Sequence, residues 1–178
     1  GHQIESEGLY LTQTLEFDKY TLKSITGDRS HEEVLASTYT GEAYNSLYDA
    51  SRNTLRDQFQ QEFRLTSNFD GPLNFVSGLA YYEEDVEFVV FGGLGFLSLF
   101  GFGTDFYDVA EVQASVQNRE SQAIYIDGSY DVSDQLKLTL GFRHTEDEKT
   151  FERYQYGAPG AASTIAGFAT INATTFSG

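Results

Sequence analysis

The sequence predicts an all-β chain of antiparallel hairpins, and three observations carry the prediction. Apolar and polar residues alternate with period two through six segments. The segments pair off across short turns rich in Asp, Asn, Gly, Pro and Ser. The stretches between the pairs are long. Side chains of a strand point alternately to opposite faces, so period-two alternation gives each segment one apolar and one polar face.

The first segment, residues 8–17, sets Leu9, Leu11, Leu15 and Phe17 against Tyr10, Thr12, Thr14 and Glu16. Asp18 and Lys19 make a short turn, and residues 20–29 return. The third segment, 57–68, places Phe59, Phe63 and Leu65 on one face, with Glu62, Arg64 and Thr66 opposite. Gly71-Pro72 then punctuates a turn into 72–84, where Leu73, Phe75, Leu79 and Tyr81 alternate with smaller or polar residues. The fifth segment, 120–131, sets Ile124, Ile126 and Tyr130 against Tyr125, Asp127 and Ser129. The sixth, 135–146, is the clearest: Leu136, Leu138, Leu140 and Phe142 share a face, and Lys137, Thr139, Gly141 and Arg143 share the other. Residues 30–56, 85–119 and 147–178 read as long loops.

A hairpin with one wholly apolar face must lie against something apolar. In a soluble sandwich that is a second sheet; in an outer membrane it is lipid. Short turns at one end and long loops at the other form the pattern of a transmembrane β-barrel. A soluble β-sandwich binding module, the alternative, more often shows turn signals every 8–12 residues. The barrel reading predicts that Leu136, Leu138, Leu140, Phe142, Phe63 and Leu65 face lipid.

Four motifs add a resemblance: SITGDR at 24–29, QEFRLTS at 61–67, GPLNFVSGLAYY at 71–82 and LKLTLGFRHTEDEK at 136–149. In this order and spacing they resemble the barrel of TonB-dependent outer-membrane receptors, over about residues 9–149. The resemblance implies energised uptake of a scarce nutrient, such as an iron chelate, vitamin or sugar. It also implies the bacterial outer membrane and an energy-transducing periplasmic protein as partners. No plug domain or signal peptide is evident, and the chain has no Met. Six strands cannot close the roughly 22-stranded barrel of outer-membrane transporters. The chain therefore reads as an internal fragment of a larger receptor.

Composition narrows the functions further. Eleven basic against 27 acidic residues give a formal charge of −16, which repels phosphates and argues against a nucleic-acid partner. The absence of Cys excludes a disulfide framework. With no Trp, the 12 Tyr and 15 Phe must supply any aromatic girdle. Catalysis finds no motif: His2, His31 and His144 stand apart, and no Ser lies in a nucleophile elbow. We expect no enzyme activity and no required cofactor.

The run at 88–104 has no charged residue and alternates Phe with Gly. Strong β-formers without Pro or charge mark a cross-β segment. A barrel fragment in isolation leaves open edges and an apolar face in water, both templates for self-association. The sequence thus supports an alternative for the isolated fragment: an extracellular, amyloid-like cross-β fibril with a structural role. Its core would be Phe88, Val89, Val90, Phe91, Leu94, Phe96, Leu97, Leu99, Phe100 and Phe102. Copies stacked in register repel, so carboxylates at Glu83, Glu84, Asp85, Asp147 and Glu148 would form ladders of oxygen ligands for a divalent cation, calcium first.

Overall fold

The chain folds as one continuous up-and-down meander in the computed structural model, which describes residues 2–38, 48–93, 95, 110–157 and 171–177. The strands are β1 His2–Glu16, β2 Tyr20–Thr38, β3 Asp49–Ser67, β4 Leu73–Gly93, β5 Ala110–Ser133, β6 Leu136–Gly157 and β7 Ile171–Ser177. They lie in one sheet in sequence order, each antiparallel to its neighbour. Among the described residues no second sheet covers either face, so the sandwich alternative has no partner layer.

The strands run farther than the alternation predicts. The expected loops 30–56, 85–119 and 147–178 are corrected: residues 30–38, 49–56, 85–93, 110–119 and 147–157 continue the strands, and 171–177 form a seventh. The reason is physical. Beyond about ten residues from each turn, neither face is held to a single polarity. Backbone pairing and β-branched or aromatic residues such as Val86, Val89, Val90, Val112 and Val116 sustain the strand there without clean alternation.

The turn end is tightly specified. Ser67 Oγ donates to Asn74 Oδ1 (2.9 Å) and accepts from the Phe75 amide (2.7 Å). The Asn74 side chain also accepts from the Phe69 amide (2.8 Å) and donates to its carbonyl (3.2 Å). These bonds satisfy the backbone that leaves the ladder around Pro72, which lacks an amide hydrogen. Adjacent turns are tied together, with the Asn68 amide donating to the Lys19 carbonyl (2.8 Å) and the Asp131 amide to that of Pro72 (2.9 Å).

A single sheet has no interior. Ala50 is the one buried apolar side chain among the described residues, whereas Leu140 is 82% exposed. Large apolar side chains stand out from one face along its whole width. That face sets the functional question.

Candidate functional site: two faces of one wall

Register decides which side chains share a face, because cross-strand partners project the same way. One ladder row reads Leu15, Leu22, Leu65, Ser77, Ile126, Phe142. The next row on that face reads Gln13, Ser24, Phe63, Leu79, Ile124, His144. The six residues expected to face lipid therefore lie on one face, and Leu136, Leu138, Leu140, Phe142 and Phe63 are exposed on it. Shallow hollows between Leu22, Phe63, Leu65, Leu79 and Phe142 lie on the same side.

This face has a sharp upper limit. Counting from its turn, each strand keeps the face free of carboxylate and cation until Glu7 on β1, Asp28 on β2, Asp57 on β3, Glu83 on β4, Glu120 on β5 and Glu146 on β6. On β6 this face is free of carboxylate and cation from Leu136 up to Glu146. About ten residues at ~3.4 Å each, tilted by about 40°, rise roughly 25 Å, the height of the apolar band of outer-membrane barrels. Aromatic rings mark both borders. Tyr20, Phe69 and Phe75 cluster near the turns, with Tyr20 and Phe69 edge to face at 5.3 Å. Phe59, in the row of Asp28 and Glu83, meets Tyr81 of the row below at 6.3 Å.

The opposite face is polar and internally bonded. Tyr125 Oη donates to Glu62 Oε1 (2.6 Å) and accepts from Arg64 Nε (3.2 Å), while Arg64 Nη2 donates to the same Glu62 oxygen (2.8 Å). This cluster exists because position 78 is glycine. A Cβ there would lie 2.5 Å from the Tyr125 ring and hydroxyl, so the tyrosine occupies the space a side chain would take. Arg143 lies over the Tyr125 ring, 5.8 Å from its centroid.

A second network lies above the level of the band. Gln58 Nε2 donates to Glu84 Oε2 (2.6 Å) and to Tyr82 Oη (2.9 Å), and Tyr82 donates to Glu84 (2.9 Å). Arg119 sits over the Tyr82 ring at 5.8 Å and pairs with Asp147 at 3.3 Å. Partial burial pushes the Glu84 carboxyl up, but hydrogen bonds from Gln58 and Tyr82 and the charges of Arg56 and Arg119 outweigh it, leaving its pKa below the usual value. Asp147 is also held low, first by a hydrogen bond from Ser121 and then by Arg119.

The carboxylates proposed as cation ligands are not brought together in this fold. Glu84 and Asp147 project from the polar face, while Glu83, Asp85 and Glu148 project from the apolar one. Adjacent acids in a strand are separated by the alternation itself. No group of three or more such side chains is positioned to hold a metal ion among the described residues. The expected fibril core is also divided. Val89 and Phe91 share the apolar face and Phe88 and Val90 the polar one, with backbones paired to β3 and β5 of the same chain. Leu94, Phe96, Leu97, Leu99, Phe100 and Phe102 lie outside the described residues.

No family model and no curated protein matches the sequence. Among solved structures, the fold matches the ferric yersiniabactin uptake receptor FyuA from Yersinia pestis with a TM-score of 0.76 at 11% identity, over 99% of this chain and 24% of that one. The chain thus spans about a quarter of that receptor's length. At this identity the likeness is one of fold: an antiparallel β-barrel wall. The Clostridium perfringens delta-toxin aligns at a TM-score of 0.19 and 4% identity, over 81% of this chain and 96% of its own, and carries no argument.

Proposed function

We propose that this chain is a section of the barrel wall of a TonB-dependent outer-membrane receptor. In the complete protein it would take part in energised uptake of a scarce nutrient. The observation that carries the reading is the two-faced sheet: an uncharged apolar band about one membrane thick on one side, and a bonded polar surface on the other. Its agreement in fold with a solved uptake receptor supports the same reading.

Each face then has a role. Burying Leu140, Phe142 and their neighbours in lipid removes apolar area from water at about 25 cal/mol per Å². The polar face lines the interior, where Glu62, Arg64, Tyr125 and Glu84 hold neighbouring strands in register. The outer edges of β1 and β7 would pair with further strands of the longer protein, since a membrane tolerates no open edge. A periplasmic energy transducer would act on the complete receptor rather than on this wall.

The test is expression of the complete protein in a Gram-negative host. It should fractionate with the outer membrane, migrate differently on gels before and after heating, and support nutrient accumulation only while the inner membrane is energised. Recovery as a soluble species, with unchanged migration on heating, would rule the proposal out.

A further inference from the structure

The register separates charge by face more completely than any motif suggests. Except for Lys19 in the first turn, every lysine and arginine lies on a strand and projects from the polar, interior face. The protein carries −16 overall, yet the upper part of its interior face is rich in cations. Six of them stand near or above the top of the apolar band: Arg29, Arg52, Arg56, Arg119, Lys149 and Arg153. The acids whose side chains are described at that level on the same face are Glu33, Glu84 and Asp147. Each already has a cationic or histidine partner, in Arg56 for Glu84, Arg119 for Asp147 and His2 for Glu33. Arg29, Arg52, Lys149 and Arg153 have no acidic partner among the described residues; Arg153 donates only to Gln113 (2.9 Å).

This arrangement costs stability in the empty wall. Arg119 and Lys149 are direct cross-strand partners, and like charges so placed repel. The other carboxylates at that level whose side chains are described stand on the opposite side of the sheet. The same ladder row carries Arg29 on β2 and ends at Lys149 on β6. Four strand spacings of ~4.8 Å set these residues about 19 Å apart, too far for one inorganic ion and suited to a molecule with several negative groups. Tyr82, already bearing Arg119 on its ring, offers an aromatic surface in the row below.

We propose that the interior surface around Arg29, Arg119, Lys149 and Arg153 binds a polyanionic, aromatic small molecule, such as a chelate presenting catecholate or carboxylate oxygens. This rests on the receptor reading and narrows its substrate to an anionic class, against neutral sugars, vitamins or uncharged chelates. Guanidinium and ammonium groups supply charge-assisted hydrogen bonds to such oxygens. A surface lined by cations also attracts anions and speeds their capture.

The experiment uses the complete protein in detergent, with the trianionic ferric complex of a tris-catecholate as probe and an uncharged ferric trihydroxamate as control. Binding is followed by quenching of intrinsic fluorescence. The anionic probe should bind more tightly, with an affinity that falls as salt rises. Reversal of an unpaired cation, Arg29→Glu or Lys149→Glu, should each weaken it by about tenfold at low salt, while Lys149→Arg retains it. Arg29→Gln and Lys149→Gln guard against misfolding and should give smaller losses in the same direction. Equal affinity for both probes, salt-independent binding, or no effect of either reversal would overturn the assignment. So would unchanged binding in reversal variants that admit bulky antibiotics to the cell, because an acidic segment of the longer protein would then be the partner. Heat-dependent gel migration separates the failures. A heat-modifiable barrel that ignores the anionic probe sinks the substrate class alone, whereas loss of the barrel signature sinks the receptor reading with it.

Discussion

Replacing Leu140 with arginine is the sharpest perturbation of the proposed lipid face. Leu140 is 82% exposed on the sheet and sits near the middle of the charge-free run on the apolar face of β6, which ends at Glu146. It is four positions from Leu136, so at ~3.4 Å per residue and about 40° of tilt it lies roughly 10 Å inside the lower border. An arginine at that depth costs about 2–4 kcal/mol, and the cost falls to about 0–1 near an interface. Leu140→Arg should therefore reduce the folding equilibrium constant in vesicles by roughly 30- to 900-fold. Leu138→Arg should fall somewhat below it, and Leu136→Arg near zero. Thr139→Arg is the control, because Thr139 pairs with Ser129 on the polar face, which in the proposed barrel stays in water. Urea titrations of the complete protein in vesicles, read by heat-dependent gel migration, measure each value. Equal costs for Leu140 and Thr139, or a larger cost at Leu136 than at Leu140, would refute the depth assignment.

Three further outcomes follow. Gly78→Ala should drive Tyr125 from its seat, weaken its bonds with Glu62 and Arg64, and cost roughly 1–2 kcal/mol, with little added by Tyr125→Phe in the same chain; additive losses in a urea-titration cycle would dismiss the shared mechanism. An epitope placed in the connection between β2 and β3, or between β4 and β5, should be labelled on intact cells, while one at Asp18 or Lys19 should need permeabilisation; the reverse pattern would invert the topology. The isolated chain, cut from its neighbours, should assemble into a cross-β fibril with a 4.7–4.8 Å meridional repeat that a calcium chelator loosens at neutral pH and acid partly restores; discrete monomers or closed rings without that repeat would discard the fibril.

The sequence was most legible where lipid would impose a rule. Leu136, Leu138, Leu140 and Phe142 alternate with polar or small residues, which is the pattern the proposed barrel requires: a bilayer admits apolar side chains on one face and the interior polar ones on the other. Above Glu146, Glu83 and Asp57 that rule lapses. The upper strand segments therefore read as loops although they continue the ladder. In the Phe-Val segment at 88–91 apolar residues lie on both faces: register sets Val89 and Phe91 on the apolar face and Phe88 and Val90 on the polar one. The interior site was less legible still. Gly78 and Tyr125 look unremarkable apart, and only the β4–β5 pairing places one over the other. The acid pairs in the sequence do not act together in this fold, for a related reason. Neighbours such as Glu83 and Glu84 are close along the chain but back to back across the sheet.

Barrel wall and fibril are two answers to the same deficit. Among the described residues, the sheet leaves Leu9, Leu15, Phe63, Leu79, Ile124 and Phe142 uncovered on one face and ends in strands with unpaired outer edges. Lipid and further strands cure both faults while leaving the cations of Arg29, Lys149 and Arg153 facing an interior. A stack of copies cures them by self-pairing, but then the −16 charge of each copy recurs every 4.7–4.8 Å. The fold itself leans toward the membrane. Its pairing is antiparallel between different strands of one chain, whereas an in-register stack pairs each residue with its own copy. Passage from one to the other requires breaking every ladder from β1 to β7. A chain first inserted as a barrel section would therefore be kinetically protected from the fibril. The fibril is expected only from chains that never reach the membrane or are cut out of it.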